Sequence, residues 1–186
     1  MNITIVSGTN REGSMSLKVS NHLKNLYSTC GVNVCVLDLR LLPPDCFTPQ
    51  AFAEKPKALD SYMNMILDAE GVVFVIPEYN GSYPGILKHF IDLWKFPDCY
   101  LGLKTAYVGI AAGQWGALRP VEHFQGVMGY RNAIQFPERI FINRVGKRWN
   151  GEGFSKIQES EVSIDDLLFQ QTESFIEFCK SNKGRG

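Results

Sequence analysis

A chain of 186 residues with 45% hydrophobic content is long enough for one domain, spanning 1–186, with a substantial core. Lysine plus arginine and aspartate plus glutamate each number 19, so the formal net charge is zero. That balance argues against a nucleic-acid partner, which calls for a basic surplus, and against a small electron shuttle steered by strong charge.

The chain opens Met1-Asn2-Ile3-Thr4-Ile5-Val6, entering an apolar strand rather than a secretory leader. No apolar run approaches the ~20 residues a bilayer span needs. A cytoplasmic protein without a membrane partner is expected. A helix from about Ser14 follows, striped by Val19, Leu23, Leu26 and Cys30 and stopped by Gly31. Val32–Leu39 reads as the second strand. Leu41–Pro56, with four prolines, reads as a surface connection. Leu59, Tyr62, Met63 and Ile66 mark a second helix ending near Gly71. Val72–Ile76 is a fully apolar third strand.

A third helix starts at Pro84, whose missing N–H suits a first helical position with Ser82 or Tyr83 as cap. Leu87, Phe90, Ile91 and Trp94 follow in register. Lys104–Ala112 is the fourth strand, and Leu118, Val121, Phe124 and Met128 stripe the fourth helix. Strand five falls within Ala133–Ile142, interrupted or bounded by Pro137. The segment 143–155, with Arg144, Lys147, Arg148 and Trp149, reads by default as a linker, and Ile164, Leu168, Phe175 and Cys179 mark a final helix. Five strands alternating with five helices predict an α/β domain. Its most economical form is a doubly wound five-stranded parallel sheet of order 2-1-3-4-5, with helices on both faces. Ligands of such sheets bind outside the carboxyl ends of the strands, which singles out the loops after Val6, Ile76 and Ala112.

After strand one runs Ser7-Gly8-Thr9-Asn10-Arg11-Glu12-Gly13-Ser14-Met15-Ser16. Backbone N–H groups at the helix start attract an anion; the hydroxyls of Thr9, Ser14 and Ser16 add donors and Arg11 a charge. Three or four such bonds at about 1.5–3 kcal/mol each supply much of the ~8 kcal/mol of micromolar binding. A triphosphate loop needs Lys-Ser/Thr after Gly13, where this chain has Ser14-Met15. The dinucleotide pattern G-x-G-x-x-G is absent, although Asp38 imitates its ribose-binding acid. A terminal monophosphate fits better. The same residues also suit a plain turn with Ser14 as N-cap; their place after strand one favours the anion.

Gly8-Thr9-x-Arg11-x-x-Ser14-x-Ser16, with Pro77-Glu78-Tyr79-Asn80-x-Ser82-x-Pro84-x-x-Leu87-Lys88-x-x-Ile91-Asp92, resembles the NADPH-dependent FMN reductase family. That family includes quinone, chromate and azo-dye reductases. It often has Ser in place of Thr9 and Asn in place of Ser16; both exchanges keep a hydrogen-bonding side chain. The resemblance implies a flavodoxin-like fold, FMN as cofactor, NADPH or NADH as co-substrate, and a small-molecule electron acceptor. It also implies a homodimer or homotetramer that buries aromatics of the helices near Leu87–Trp94 and Leu118–Met128 between subunits. By the same resemblance Gly113, Gln114 and Trp115 border the flavin ring. For the segment 143–155, a dimer contact or a lid over the nicotinamide phosphate are the alternatives to a linker.

The residues from Pro77 to Pro84 fit this physically. Pro77 ends a buried strand, Gly81 permits close approach of backbone, and the N–H groups from Glu78 to Gly81 are placed for the ring's polar edge. Negative charge on a reduced ring is favoured by the helix start at Pro84. Tyr79 is a candidate to flank the ring and Asn80 to bond it or hold the loop. The expected cofactor-binding set is therefore Ser7, Thr9, Arg11, Ser14, Met15, Ser16, Pro77, Glu78, Tyr79, Asn80, Gly81, Gly113, Gln114 and Trp115. No catalytic side chain is expected, because the cofactor carries the chemistry. No metal site is expected either: His22, His89 and His123 share no ligand spacing and read as surface or interface residues. The five cysteines form no C-x-x-C pair and read as reduced thiols. The alternative from another class is an FMN-binding electron carrier that does not oxidise NAD(P)H itself.

Overall fold

The computed structural model describes residues 1–181; positions 182–186 of the expected 1–186 domain lie outside the described residues. Strands β1 (Asn2–Ser7), β2 (Asn33–Asp38), β3 (Gly71–Pro77), β4 (Lys104–Ile110) and β5 (Ile134–Ile142) form one sheet in the order β2-β1-β3-β4-β5. Every neighbouring pair is parallel, as predicted. β3 and β4 are buried along their whole length, which is why they read as unbroken apolar runs.

Alternation across the pleat divides the core. Val72, Phe74 and Ile76 pack with Met63, Phe90 and Phe124, whereas Val73 and Val75 pack with Val19, Leu23, Leu168 and Phe175. Helices α1 (Met15–Thr29) and α6 (Ile164–Ser181) therefore cover one face, and α2 (Asp60–Leu67), α3 (Gly85–Asp92) and α4 (Leu118–Tyr130) the other. Burying each large side chain stabilises the layers by about 1.5–3 kcal/mol.

Several expectations change. On α1 the stripe runs from Leu23 to Tyr27, which is 1% exposed, leaving Leu26 at its edge. The Leu41–Pro56 connection is no plain surface loop. Its prolines start short 3-10 turns at Pro44–Phe47 and Pro49–Phe52, and Leu42, Cys46 and Ala51 are buried beneath α2 and α3. Pro84 is the N-cap of α3 rather than its first helical residue. Pro137 lies inside β5 at a bulge, between the pairs Thr105–Gln135 and Tyr107–Arg139. An edge strand tolerates both the bulge and the missing N–H.

The linker reading of 143–155 is wrong. This segment contains a short helix, α5 (Val145–Arg148), then a bridge between Trp149 and Phe154. The His22 ring lies edge-on to both aromatics, at 5.8 and 5.9 Å, and its Nε2 is 2.9 Å from Asp165 Oδ1. His22 is thus an internal tie between α1 and α6. His89 likewise stacks on Phe47 at 5.2 Å, with Nε2 2.8 Å from the Cys46 carbonyl. The expectation that aromatics of α3 and α4 are buried between subunits is also corrected: Phe90 and Phe124 are 0% exposed and Trp94 is 3% exposed within this chain's own core. All five cysteines are free thiols, and Cys46, Cys99 and Cys179 are buried.

Candidate cofactor site

The parallel register brings the ends of β1, β3 and β4 to one edge, with Ser7 beside Val75 and Pro77 beside Ile110. The first loop leaves β1 so close to β3 that the Gly8 N–H donates to the Val75 carbonyl at 2.9 Å. A Cβ on Gly8 would stand 2.6 Å from that oxygen, so only glycine fits. Ser14 caps α1, its Oγ accepting from the Leu17 N–H at 3.3 Å, and its O–H stays available to donate. The first turn of α1 holds no acidic residue, so its N–H groups keep their attraction for an anion.

The hydroxyls of Ser7 and Ser16 are buried with no hydrogen-bond partner. Buried polar groups are normally satisfied; two unsatisfied hydroxyls at one loop are what a missing oxyanion would leave behind. Thr9, 1% exposed, instead bonds Tyr79: the two hydroxyl oxygens lie 2.8 Å apart. The Arg11 guanidinium stands 5.8 Å from the Tyr79 ring centroid. Loop one is thereby tied to loop three of the chain's strand order, the one following β3.

That second loop is a two-residue hairpin. The Tyr79 N–H donates to the Ser82 carbonyl at 2.8 Å and the Ser82 N–H returns to Tyr79 at 3.0 Å. Asn80 (φ 51) and Gly81 (φ 79) are both left-handed, the requirement of a type I′ turn that Asn-Gly meets. The glycine serves this turn; space around its would-be Cβ is open. The sequence expectation for the four N–H groups from Glu78 to Gly81 is corrected by the same bonds. Glu78 donates to the Ile110 carbonyl at 3.0 Å, extending the ladder, and Tyr79 is spent on the turn, so Asn80 and Gly81 supply the donors that remain. Ser82 Oγ lies 3.1 Å from His123 Nδ1, fastening the hairpin to α4.

The loops converge on a cleft of about 350 Å³, within the range of small-ligand sites. Arg11, Ser14, Met15 and Ser16 line one end; Pro77, Glu78 and Tyr79 line a wall, and Ala111 and Ala112 line another. Ser7 and Thr9 are fully buried and do not line it, while Asn80 is exposed and Gly81 half-buried at the hairpin tip. Gly113 is exposed on the crest of the loop after β4. Gln114 and Trp115 fall beyond that crest, in a neighbouring cleft with Phe141 and Asn143. In this loop the left-handed positions are Gly116 (φ 66) and Ala117 (φ 66), not Gly113.

Ala111, Ala112 and Val145 also line the first cleft and were not singled out from sequence. The two alanines sit where a doubly wound sheet opens its crevice, which is a readable signal. Val145 has none, because the fold returns it from beyond β5. No group of metal-ligating side chains occurs among the described residues, nor any helix long and apolar enough to cross a membrane.

The family model described as NADPH-dependent FMN reductase matches residues 1–146. The chain is 26% identical over 176 residues to a 2-hydroxy-1,4-benzoquinone reductase of a Burkholderia species, covering 92% of this chain and 91% of that one. It is 28% identical over 150 residues to a quinone reductase of Escherichia coli K12, covering 78% of each. Among solved structures, the flavoenzyme NAD(P)H:(acceptor) oxidoreductase FerB of Paracoccus denitrificans superposes with a TM-score of 0.76 at 20% identity, covering 96% of this chain and 97% of that one. A flavodoxin mutant of Pseudomonas aeruginosa superposes at 0.58 and 16% identity, covering 99% and 100%, and the fold is flavodoxin-like.

Proposed function

Starting from a chain that belongs to the NADPH-dependent FMN reductase family, we propose that it holds FMN in the first cleft and reduces a small acceptor, such as a quinone or azo compound, with NADPH or NADH. The observation that carries this is the pair of unpartnered hydroxyls, Ser7 and Ser16, buried where a charged arginine and an open helix start meet. Such a site is built for an oxyanion.

When bound, FMN supplies the two-electron chemistry, taking hydride from the nicotinamide and passing the electrons to the acceptor. The chain supplies binding and positioning. Ser7, Ser14, Ser16, Arg11 and the amides of Met15 and Ser16 hold the phosphate. Thr9 is a positioning residue, setting Tyr79 through the hydroxyl bond between them. Pro77, Glu78 and Tyr79 would provide the wall for the ring, and the Asn80 and Gly81 amides would donate to its polar edge. Gly113, carrying no side chain on the crest, leaves that border open. The start of α3, free of acidic residues in its first turn, favours negative charge nearby.

Donor and acceptor use the same open side in turn, giving ping-pong kinetics. We take the protein to be cytoplasmic and, as in the family, a homodimer or homotetramer; exposed Phe96, just after α3, and Tyr130, the last residue of α4, support an assembly that size-exclusion chromatography with light scattering tests. FMN-loaded protein is expected to consume NAD(P)H steadily with a quinone and to give parallel double-reciprocal lines. Absence of consumption with every acceptor would leave an FMN-binding carrier as the function instead.

A further inference from the structure

The cleft that receives Gln114 and Trp115 has a volume of about 370 Å³, as large as the first. The two share one partition. Ala111 and Ala112 face the first cleft, Gln114 to Gly116 the second; Val145 faces the first and Arg148, three residues on, the second. This partition is tied by three hydrogen bonds. The Arg144 N–H donates to the Gly113 carbonyl and the Val145 N–H to the Ala111 carbonyl, both at 2.9 Å, and Asn143 Nδ2 donates to the Gln114 carbonyl at 3.1 Å.

The outer wall comes from Glu161, Val162 and Ile164, beyond the residues 1–146 that the family model matches. It is therefore a feature the shared family pattern does not supply. A fork of hydrogen bonds holds it: Arg148 Nη1 and Nη2 donate to the two Glu161 carboxylate oxygens at 2.8 and 3.0 Å. Such bidentate pairs are geometrically exacting. Glu161 also accepts from the Ile157 N–H at 2.8 Å.

The cleft is open to solvent and offers an aromatic surface. Trp115 is 67% exposed, and its indole lines the cleft together with Phe141, Val162 and Ile164. Arg144 and Lys147, next in the chain to the lining residues Asn143 and Arg148, and Arg119 at the start of α4 are exposed and make no ion pair among the described residues, while the Glu161 carboxylate in the wall is already spent on Arg148. An aromatic slot with a cationic rim suits a planar base carrying phosphates.

We propose that this second cleft takes the adenosine diphosphate half of NAD(P)H, its base against Trp115 and its phosphates toward Arg144 and Lys147. The inference rests on the NAD(P)H-oxidising function above. With the nicotinamide in the first cleft, the rest of a dinucleotide has to leave it, and the neighbouring cleft lies across one shared crest. A small acceptor needs only the first cleft, so donor and acceptor affinities have separate determinants.

The test uses FMN-loaded protein with ADP, which carries the base and phosphates but no nicotinamide. ADP is expected to compete with NAD(P)H and to leave the acceptor KM unchanged. Arg144→Asn removes a cation while keeping a residue tolerant of the left-handed backbone there (φ 47). Val162→Glu places a carboxylate in the cleft at an exposed position. Each is expected to raise the NAD(P)H KM and the ADP inhibition constant on the order of tenfold, as for loss of one bond to a charged group, with acceptor KM and FMN affinity held. Normal oxidation with both constants within about twofold of the parent in both variants would overturn the subsite and leave the reductase function standing. Should the parent protein not oxidise NAD(P)H at all, the reductase function fails by itself, and calorimetric ADP binding to the parent against Val162→Glu still decides the subsite.

Discussion

Ser16 has a hydroxyl that the polypeptide alone leaves unsatisfied, at a cost of about 1–3 kcal/mol. Ser16→Ala is therefore expected to separate stability from binding. Without FMN the variant should melt at or a few degrees above the parent temperature, since the orphan is gone, while FMN affinity falls on the order of tenfold. Thermal unfolding with and without FMN measures both, and a lowered melting temperature in flavin-free protein would contradict the account. Arg11 is exposed and its N–H leans on Thr9 Oγ1 at 3.4 Å. Arg11→Ala should weaken FMN by about tenfold or more through loss of a charge-assisted contact, read by flavin fluorescence; an unchanged affinity would remove the phosphate end from this loop. Both residues were recognisable beforehand as hydroxyl and charge near a helix start. That Thr9 turns to Tyr79 instead was not, because the partner lies 70 residues away and only the fold brings the two hydroxyls together.

At the scale of elements, β3 and α6 show how tightly the layers constrain composition. A Cβ on Gly71 would stand 2.6 Å from Cys179 Sγ and 2.9 Å from the Phe175 ring. Overpacking of this kind costs about 1–3 kcal/mol. Gly71→Ala should lower stability by that amount in a denaturant titration and leave FMN affinity intact, since Gly71 lies at the opposite end of β3 from the cleft. Stability within a few tenths of the parent would show that α6 yields freely. The periodicities of α1 and α4 were readable because one repeating pattern serves one buried face, and β3 because a strand covered on both faces is an unbroken apolar run. α5 has no readable signal: four residues carry no period, and the buried Arg148 is satisfied by Asn143 and by Glu161, 13 residues later.

For the whole molecule, the wall of the second cleft depends on that charge pair, which makes its response to acid predictable. Hydrogen bonds from Arg148, then from the Ile157 N–H, push the Glu161 carboxyl down to about 2, from about 4.3 in an unfolded chain. The folded value is depressed, so the contribution is complete above the unfolded value and is lost as pH falls through about 2. Hydrogen-exchange protection of residues 156–163 is expected to hold from neutral pH to about 4 and to fade toward 2. Glu161→Gln, which cannot carry the charge, should show weakened protection across the whole range. Protection lost already near pH 5 would mean that another group holds the wall.

Sequence by itself determined the sheet, its order, and that the loops after β1 and β3 meet at its carboxyl edge. Alternating apolar runs, glycine before a helix start, and Asn-Gly between strand and helix are local patterns, and each states its physical requirement within a few residues. Tertiary structure alone decided which donors remain free. The ladder takes the Glu78 N–H and the turn takes that of Tyr79, leaving Asn80 and Gly81. It also decided that Gln114 and Trp115 stand across a crest from the first cleft, and that the stretch after β5 is a wall rather than a linker. Those outcomes depend on pairings between distant residues, and chain closure over such distances leaves no mark on local spacing.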